Sequence, residues 1–292
     1  MPRRIAVTGA NAGIGLRSAV LLSSQGHRVL ALCRDLGRAR RAFAELPEEQ
    51  RARIESVELD LASSASIHRA AAQIVDAGPL DALINNAAVF DQAVRTARSS
   101  AEGHELFWAT NHLGPVELTA RLSPALAAAS EPRVVFVASK GLVTMPRLAI
   151  RFDELDNPSW FTPTRAYYHA KLAQVMTAVT LAERVGDRVE VSCLRVPAVR
   201  LDPARLAAQP RLLRALYAPK NRLAAAPEQI ARVYARLVLD APRHARGAGV
   251  YVDERLKQVP LPRFARDPAH RERLWDVTQA AMGDPTWAWG VS

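Results

Sequence analysis

Short apolar runs alternate with longer segments of helical periodicity along most of the chain. The apolar runs are rich in β-branched residues and bounded by polar or glycine positions, which is typical of buried strands in a parallel sheet. Helices are predicted between them, since the pattern changes to a spacing of three and four residues. We predict seven strands, at Ile5–Thr8, Arg28–Cys33, Ile54–Glu58, Ala82–Asn85, Arg133–Ala138, Glu190–Arg195 and Gly249–Val252.

This alternation predicts an α/β, doubly wound (Rossmann-type) architecture, with a mainly parallel seven-stranded sheet and helices on both faces. No repeat or low-complexity linker divides the 292 residues, so one domain is expected over 1–292. Two long segments, about 142–165 and 202–226, follow strand ends, where open α/β sheets bind ligands, and we expect them to recognise the substrate. A helix is predicted over Asp267–Met282, and the tail with Trp287 and Trp289 is expected to cover core.

Composition excludes several classes of protein. The chain is 49% hydrophobic, but it contains no membrane-spanning apolar stretch and no leader pattern, so a cytoplasmic protein without a membrane span is expected. The net charge is +10, yet the basic residues are scattered, which argues against nucleic acid as a partner. Cys33 and Cys193 are expected to be buried and unpaired, and the histidines lack metal-ligand spacing, so no metal is predicted.

A glycine-rich turn follows the first predicted strand. It reads Thr8-Gly9-Ala10-Asn11-Ala12-Gly13-Ile14-Gly15, and a helical pattern begins immediately after it. Glycines allow a tight turn, and they let backbone N–H groups and the helix N-terminus approach a diphosphate. We therefore predict a dinucleotide site here; a glycine turn that holds no ligand is the alternative.

Tyr167 and Lys171 lie four residues apart in a predicted helix, Ala166–Arg184, and therefore share one face of it. A neighbouring ammonium group stabilises a phenolate and lowers the tyrosine pKa, which would make Tyr167 a usable proton donor or acceptor. On spacing alone, the pair could equally be a half-buried ring beside a solvated amine. His169, two residues on, lies on another face of the helix and is expected to be structural or exposed.

Several motifs stand in the order and spacing of the short-chain dehydrogenase/reductase family, which the chain resembles to about Met282. They are Thr8 to Gly15, Asn85-Asn86-Ala87-Ala88, Asn111, Ser139 and Tyr167-x-x-x-Lys171. Other segments resemble the retinol-dehydrogenase-like branch: Cys33-Arg34-Asp35, Asn111-His112-Leu113-Gly114, Phe152-Asp153-Glu154-Leu155, Ala166-Tyr167, Lys171-Leu172-Ala173 and Arg273-Leu274-Trp275.

The resemblance implies a catalytic set of Asn111, Ser139, Tyr167 and Lys171. In the family the serine hydrogen-bonds the substrate oxygen and the tyrosine exchanges the proton. The lysine holds the nicotinamide ribose and lowers the tyrosine pKa, and the asparagine helps to fix a water that connects the lysine to solvent. A strand-end cap for Ser139 and an ordinary polar helix residue for Asn111 are the alternatives.

The resemblance also implies a nicotinamide cofactor. Arg34 follows the second strand, where relatives that prefer NAD carry an acidic residue, and a guanidinium suits a 2′-phosphate, so we predict NADP(H) rather than NAD(H). Asp35 argues against NADP(H), because an acidic residue in this region is typical of relatives that prefer NAD. Arg34 could instead be a solvated arginine paired with Asp35. The remaining cofactor residues that the resemblance implies are Gly9, Asn11, Gly13, Ile14, Gly15, Asp60, Leu61, Asn86, Ala87, Tyr167, Lys171, Pro197 and Val199.

The predicted function is hydride transfer between NADP(H) and a lipophilic ketone or aldehyde, or the matching alcohol. The apolar side chains expected to contact that small hydrophobic substrate are Met145, Trp160, Phe161 and Leu201, with Leu212, Leu213 and Leu216 on the second loop. Ala88, Ala198 and Asp202 depart from the family pattern. They leave open an alternative, a protein that retains the cofactor site without redox turnover and serves as a structural or sensor protein, or uses the pocket for an acid/base step such as cyclisation. By analogy, a homodimer through the helix that bears Tyr167 is expected.

Overall fold

The computed structural model describes residues 1–200, 224–240 and 249–291. These residues include seven strands in one all-parallel sheet of order β3-β2-β1-β4-β5-β6-β7. The predicted strands are confirmed to within a residue or two at their ends. The strands are β1 (Arg4–Thr8), β2 (Arg28–Cys33), β3 (Ile54–Glu58), β4 (Ala82–Asn85), β5 (Arg133–Ser139), β6 (Glu190–Val196) and β7 (Tyr251–Val252).

Helices cover both faces of this sheet, and side-chain caps fix several of their starts. The side chains of Asp35, Ser63, Thr162 and Asp267 each accept a backbone N–H of the following helix. The described helices are α1 (Gly13–Ser24), α2 (Leu36–Phe43), α3 (Glu48–Arg51), α4 (Ser64–Asp76), α5 (Leu106–Trp108), α6 (Gly114–Ala127), α7 (Pro163–Val185), α8 (Pro227–Leu239) and α9 (Pro268–Ala281). A π-helical turn, Ala109–Leu113, joins α5 to α6.

Two apolar clusters form the core, one on each face of the sheet. On one face, α1, α2 and α8 pack against the strands. On the other face, α4, α6, α7 and α9 pack against them, and Trp287 and Trp289, each 3% exposed, belong to the same cluster. The aromatic tail therefore covers core, as its sequence predicts. Cys33 and Cys193 are buried free thiols.

The strand order places a crevice at the carboxyl edge of the sheet. From β1 the chain proceeds outward through β2 and β3, and then returns to β4 on the other side of β1. The segments after β1 and β4 therefore diverge, which is where doubly wound sheets bind ligands. The glycine turn, Asn86 and Ser139 all lie at this edge, since each follows or ends one of the central strands.

Candidate active site

The glycine turn forms one wall of a cleft of about 440 Å³, which we call the cofactor cleft. Gly9 and Gly13 adopt positive φ angles of 68° and 53°, a conformation that side chains disfavour. A Cβ at Gly9 would lie 3.1 Å from the Cα of Ala87. This wall of the cleft is thus formed by backbone, and side chains at these positions would fill the space beside it. Its lining includes the predicted residues Gly9, Asn11, Gly13, Ile14, Arg34, Asp60, Leu61, Asn86 and Ala87.

Gly15 lies behind the cleft rather than in its lining. A Cβ at Gly15 would collide with the carbonyl oxygen of Gly9 and would lie 2.7 Å from Nδ2 of Asn86. The absence of a side chain at Gly15 therefore lets α1 approach the turn closely. Asn11 also supports the turn, because its Nδ2 lies 3.5 Å from the carbonyl oxygen of Asp35.

Asn86 ties the ends of β1 and β4 together. Its Nδ2 donates to the carbonyl of Thr8 at 2.8 Å, and its Oδ1 accepts from the hydroxyl of Tyr234 at 3.0 Å. The N–H of Ala87 donates to Oγ1 of Thr8 at 2.9 Å. Tyr234 is fully buried on α8, so the glycine turn is held partly by a helix that packs on the same face of the sheet as α1.

The end of β2 presents two guanidinium groups to the cleft. Arg34 and Arg38 both line it, and both are exposed. Asp35, the counter-indication to NADP, caps α2 by accepting the N–H of Arg38 at 2.8 Å. Its carboxylate is thereby engaged by backbone, and no ion pair joins it to Arg34 within the described ranges. Arg38 was not among the predicted residues. It lies in α2, four residues after Arg34, and this spacing could have indicated it.

The far wall of the cleft follows β3 and β4. Asp60 accepts the N–H of Ala62 at 2.9 Å, and Ser63, not Asp60, caps α4. Leu61 is 5% exposed and packs against Gly114. Ala88, where the family keeps glycine, lines the cleft and has no positive φ, so its methyl group adds no backbone strain.

Ser139 and Tyr167 are brought together at the end of β5. Oγ of Ser139 lies close enough to the phenol of Tyr167 to lower its pKa by hydrogen bonding, and it also accepts the N–H of Gly141 at 3.2 Å. Ser139 is the last residue of β5, and Tyr167 lies one turn inside α7. The pair therefore presents two hydroxyl groups to one point of the crevice, where a substrate oxygen could contact both.

The surroundings of Tyr167 are aromatic. Its ring lies 4.5 Å from the ring of Phe90 and 5.2 Å from that of Tyr168, measured between centroids. Burial, and then Tyr168, raise the pKa of Tyr167 above its usual value, whereas the hydrogen bond with Ser139 lowers it. We expected Lys171 to lower this pKa. The lowering by Lys171 stays a prediction, and in the structure burial of the phenol outweighs the contribution of Ser139.

Lys171 is almost entirely buried, with 1% of its surface exposed. Its Nζ donates to the carbonyl oxygen of Val137 at 2.6 Å and to Oε1 of Gln174 at 2.8 Å. Nζ also lies 5.8 Å from the ring centroid of Tyr167. Burial lowers the pKa of Lys171 to about 8, while the nearby Cys193 opposes that shift. Gln174 was not among the predicted residues. The sequence feature that could have identified it is a polar residue three positions after the lysine in the same helix.

Asn111 lies in the π-helical turn and is fully buried. Its Oδ1 accepts the N–H of Val89 at 2.7 Å and its Nδ2 donates to the carbonyl of Val89 at 2.9 Å. The side chain therefore anchors the segment after β4, the same segment that places Phe90 on Tyr167. The predicted contribution of Asn111 to a water chain stays a prediction.

The segment after β6 runs along the other side of the crevice. Val199 forms a parallel bridge with Ala225, and the N–H of Ala225 donates to the carbonyl of Ala198 at 2.9 Å. Pro197 and Val199 are partly buried and Ala198 is exposed. Leu201, Asp202, Leu212, Leu213 and Leu216 lie outside the described residues, as does most of the predicted loop 202–226.

The predicted substrate residues of the first loop do not meet Tyr167. Met145 and Trp160 line a separate cavity of about 400 Å³ whose lining contains neither Ser139 nor Tyr167. Phe161 packs edge-on against Phe107, with 6.0 Å between ring centroids. Loop length alone gave no indication of which side of α7 these residues would occupy. His169, on the same side, is 3% exposed and structural, as expected.

Two exposed apolar side chains lie near the Ser139–Tyr167 pair along the chain or in space, one against Tyr167 and one in the turn that follows Ser139, and neither was predicted. Phe90 is 45% exposed and contacts Tyr167, and Val143 is 63% exposed in the 3₁₀ turn Lys140–Thr144 that follows Ser139. The described residues include only one other large exposed hydrophobic side chain, Met1. We call Phe90 and Val143 the apolar lip.

The described residues include no group of three or more His, Cys, Asp or Glu side chains arranged to hold a metal ion. Within those same ranges, no helix combines the length and apolar character that crossing a lipid bilayer requires.

Comparisons with known proteins agree with this geometry. Residues 3–149 match the short chain dehydrogenase family. The chain is 30% identical to human retinol dehydrogenase 14, with 96% of this chain and 86% of that protein covered. It is 32% identical to human dehydrogenase/reductase SDR family member 13, with 96% and 73% covered.

Solved structures share the fold. An uncharacterised protein from Mycobacterium paratuberculosis has a TM-score of 0.70 at 24% identity, covering 98% of this chain and 94% of that one. A short chain dehydrogenase from Shigella flexneri 2a str. 301, solved in complex with NADP, has a TM-score of 0.65 at 23% identity, covering 87% and 97%. With the parallel sheet, the glycine turn and the Ser139–Tyr167 pair, these matches place the chain in the short-chain dehydrogenase/reductase family of oxidoreductases.

Proposed function

We propose that the protein is an NADP(H)-dependent oxidoreductase that interconverts a lipophilic ketone or aldehyde and the matching alcohol. The observation that carries the proposal is the proximity of the Ser139 and Tyr167 side chains at the crevice beside the cofactor cleft. When bound, the nicotinamide supplies the hydride or accepts it. In the reductive direction, Ser139 donates a hydrogen bond to the carbonyl oxygen and Tyr167 delivers a proton to the alkoxide that develops there.

The residues of the cofactor cleft fit a dinucleotide. The backbone of the glycine turn and the N-terminus of α1 suit a diphosphate, because unpaired N–H groups are available there. Asp60 and Leu61, which line the cleft, are proposed to contact the adenine, and Asn86 and Ala87 are proposed to contact the ribose. Lys171, Pro197 and Val199 are proposed to hold the nicotinamide end.

Arg34 and Arg38 favour NADP(H) over NAD(H). Two guanidinium groups at the end of β2 can form charge-assisted hydrogen bonds with a 2′-phosphate, while Asp35 is engaged in capping α2. The Shigella relative solved with NADP supports the same choice.

Cofactor titration by calorimetry tests this proposal. The double variant Arg34→Ala/Arg38→Ala should bind NADPH at least about tenfold more weakly and NADH about equally well, since only NADPH carries the phosphate. Arg40→Ala, an exposed arginine of α2 that does not line the cleft, is the matched control. Wild-type protein that binds NADH as tightly as NADPH would contradict the choice of cofactor.

The apolar lip supports a lipophilic substrate. Exposed Phe90 contacts Tyr167, and exposed Val143 lies in the turn that follows Ser139, so a substrate whose oxygen contacts Ser139 and Tyr167 would cover apolar surface at Phe90. Relatives named retinol dehydrogenases point to the same class of substrate, since retinol is a lipophilic alcohol.

A panel of carbonyl compounds with NADPH tests turnover. Lipophilic aldehydes, among them all-trans-retinal, should be reduced faster than small polar ones. Tyr167→Phe should lose nearly all turnover, with NADPH affinity retained within about threefold, because only the proton donor is removed. Tyr168→Phe, an adjacent tyrosine that the mechanism does not use, is the matched control. Full activity of Tyr167→Phe would contradict the role of Tyr167.

Two observations favour a second candidate, a cofactor-binding protein without redox turnover. The ammonium group of Lys171 is already bonded to Val137 and Gln174, and burial raises the pKa of Tyr167 instead of lowering it. If the protein binds NADPH tightly but no carbonyl compound in the panel oxidises that NADPH between about pH 6 and pH 9, this candidate is favoured over the first.

A further inference from the structure

We propose a second ligand site, for an amphiphilic anion, on the side of α7 opposite Tyr167. The ligand class is an apolar chain or ring that carries one carboxylate or phosphate group. The site is the 400 Å³ cavity between the segment 145–151 and the start of α7, which we call the arginine-rimmed cavity. It is lined by Met145, Pro146, Arg147, Leu148, Ala149, Arg151, Trp160, Arg165 and His169.

Helix geometry separates this cavity from the catalytic crevice. Arg165 and His169 are four residues apart and share a face of α7, whereas Tyr167 lies two residues from each and therefore points to the other side. The contacts agree with this arrangement. His169 packs on Trp108 and Trp160, with centroid distances of 5.1 and 4.8 Å, while Tyr167 packs on Phe90.

The floor of the cavity is apolar, and Met145, Leu148 and Trp160 are each only partly buried. An alkyl chain or ring bound there would cover this apolar surface, so the floor selects that part of the ligand.

The rim carries the charge that selects an anion. Arg147, Arg151 and Arg165 are all exposed and line the cavity, and no acidic residue does. Arg151 has one carboxylate contact, 3.4 Å to Glu154, and its guanidinium lies 6.0 Å from the ring centroid of Trp160. The described residues show no ion pair for Arg147 or Arg165, so three positive groups converge on one opening with a single acidic neighbour.

His169 adds no positive charge to the cavity near neutral pH. Its Nε2 accepts the N–H of Arg151 at 3.1 Å, which places the ring proton on Nδ1. Burial, and then Arg151, lower the pKa of His169 to about 4. The charge at the rim is therefore that of the arginines. An apolar floor below a cationic rim matches an amphiphilic anion better than a neutral lipid or a small polar anion.

Calorimetric titration with dodecanoate, dodecyl phosphate and dodecanol, all below their aggregation limits, tests the site. Both anions should bind saturably at one site, and dodecanol at least about tenfold more weakly. Arg147→Gln/Arg165→Gln should weaken anion binding by at least about tenfold, while Arg69→Gln, an exposed arginine of α4, should leave it unchanged. Circular dichroism melting confirms that each variant is folded.

Two further variants separate this site from the catalytic crevice. Phe90→Ala alters the apolar lip, and Trp160→Ala removes part of the apolar floor. Anion binding that falls with Trp160→Ala and persists with Phe90→Ala supports the second site, whether or not the protein shows any turnover. Binding that falls only with Phe90→Ala, or equal affinity for dodecanol and dodecanoate, overturns it.

Vesicles distinguish the source of the anion. Co-sedimentation with phosphatidylglycerol vesicles, but not with phosphatidylcholine vesicles, that is lost in Arg147→Gln/Arg165→Gln would assign the site to a lipid headgroup at a membrane surface. Binding of monomeric dodecanoate without co-sedimentation would assign it to a free amphiphile. The absence of both kinds of binding would overturn the proposal.

Discussion

Nζ of Lys171 lies 2.8 Å from Oε1 of Gln174, one helical turn away on α7, and both side chains are buried. A buried ammonium group is stable only while acceptors replace the water it has lost. We therefore expect Gln174 to act as a positioning residue that favours the protonated form of Lys171 beside Tyr167. Its effect should be visible in the pH dependence of turnover.

Gln174→Leu should move the alkaline decline of kcat to lower pH by about one to two units. Lys171 then retains only the Val137 carbonyl, and its pKa, already lowered to about 8 by burial, falls further. Gln174→Glu should move the decline the other way, because a carboxylate favours the ammonium. Thr177→Val, on the same helix, removes a buried hydroxyl that has no partner and should change nothing. A profile unaltered in all three variants would contradict the role of Gln174.

Phe90→Ala should raise KM for lipophilic carbonyls by about tenfold and leave NADPH affinity unchanged. The lost contact is apolar surface next to Tyr167, and removing such surface weakens binding in proportion to its area. Phe90→Leu should retain most of the affinity. An equal rise in KM for small polar carbonyls would show instead that the substitution displaces Tyr167.

Two buried histidines should make the fold sensitive to acid. Burial lowers the pKa of His112 to about 3 and that of His169 to about 4, and the ring of Trp108 lies between them, with centroid distances of 4.3 and 5.1 Å. Below the unfolded-state value of about 6.5, the unfolded chain takes up protons that the folded chain does not. The free energy of unfolding should therefore fall as pH falls from about 6.5 to 4, by up to about 1.4 kcal/mol per pH unit for each histidine.

Urea unfolding at about pH 7 and pH 5 checks this prediction. His112→Gln and His169→Gln should each be less stable at pH 7, because packing is lost, but each should lose less on acidification than the wild type. His68→Gln, whose imidazole is half-exposed, is the control. If both His112→Gln and His169→Gln lose as much unfolding free energy on acidification as the wild type, other groups cause the acid sensitivity.

The protein should be a monomer in solution, contrary to the homodimer expected by analogy. The outer side of α7 is covered by α9, where Arg271 bonds to Glu183 at 2.9 Å, and the N–H of Ala288 donates to Ser123 of α6 at 2.8 Å. Light scattering after size exclusion should give a mass near 31.9 kDa. A mass of twice that value would show that a different surface pairs.

Local pattern predicted the strands and the glycine turn because those features depend on neighbouring residues. The helix α7 begins at Pro163 after a Thr162 cap, three residues before the predicted Ala166, although both signals are present in the sequence. The partners of Lys171, the contact of Phe90 with Tyr167 and the cavity beside Trp160 depend on how separate elements pack. Periodicity gives the face of a helix, but it does not identify what lies against that face.

The position of the aromatic segment after α9 has a consequence for synthesis of the protein. Trp287, Trp289 and Val291 complete the apolar cluster around α6 and α7, and they follow both helices in the chain, so they are synthesised after them. Until then, the apolar surface that they cover is open to water and to other nascent chains. Helix α7 thus gains its full packing only after this segment has been synthesised.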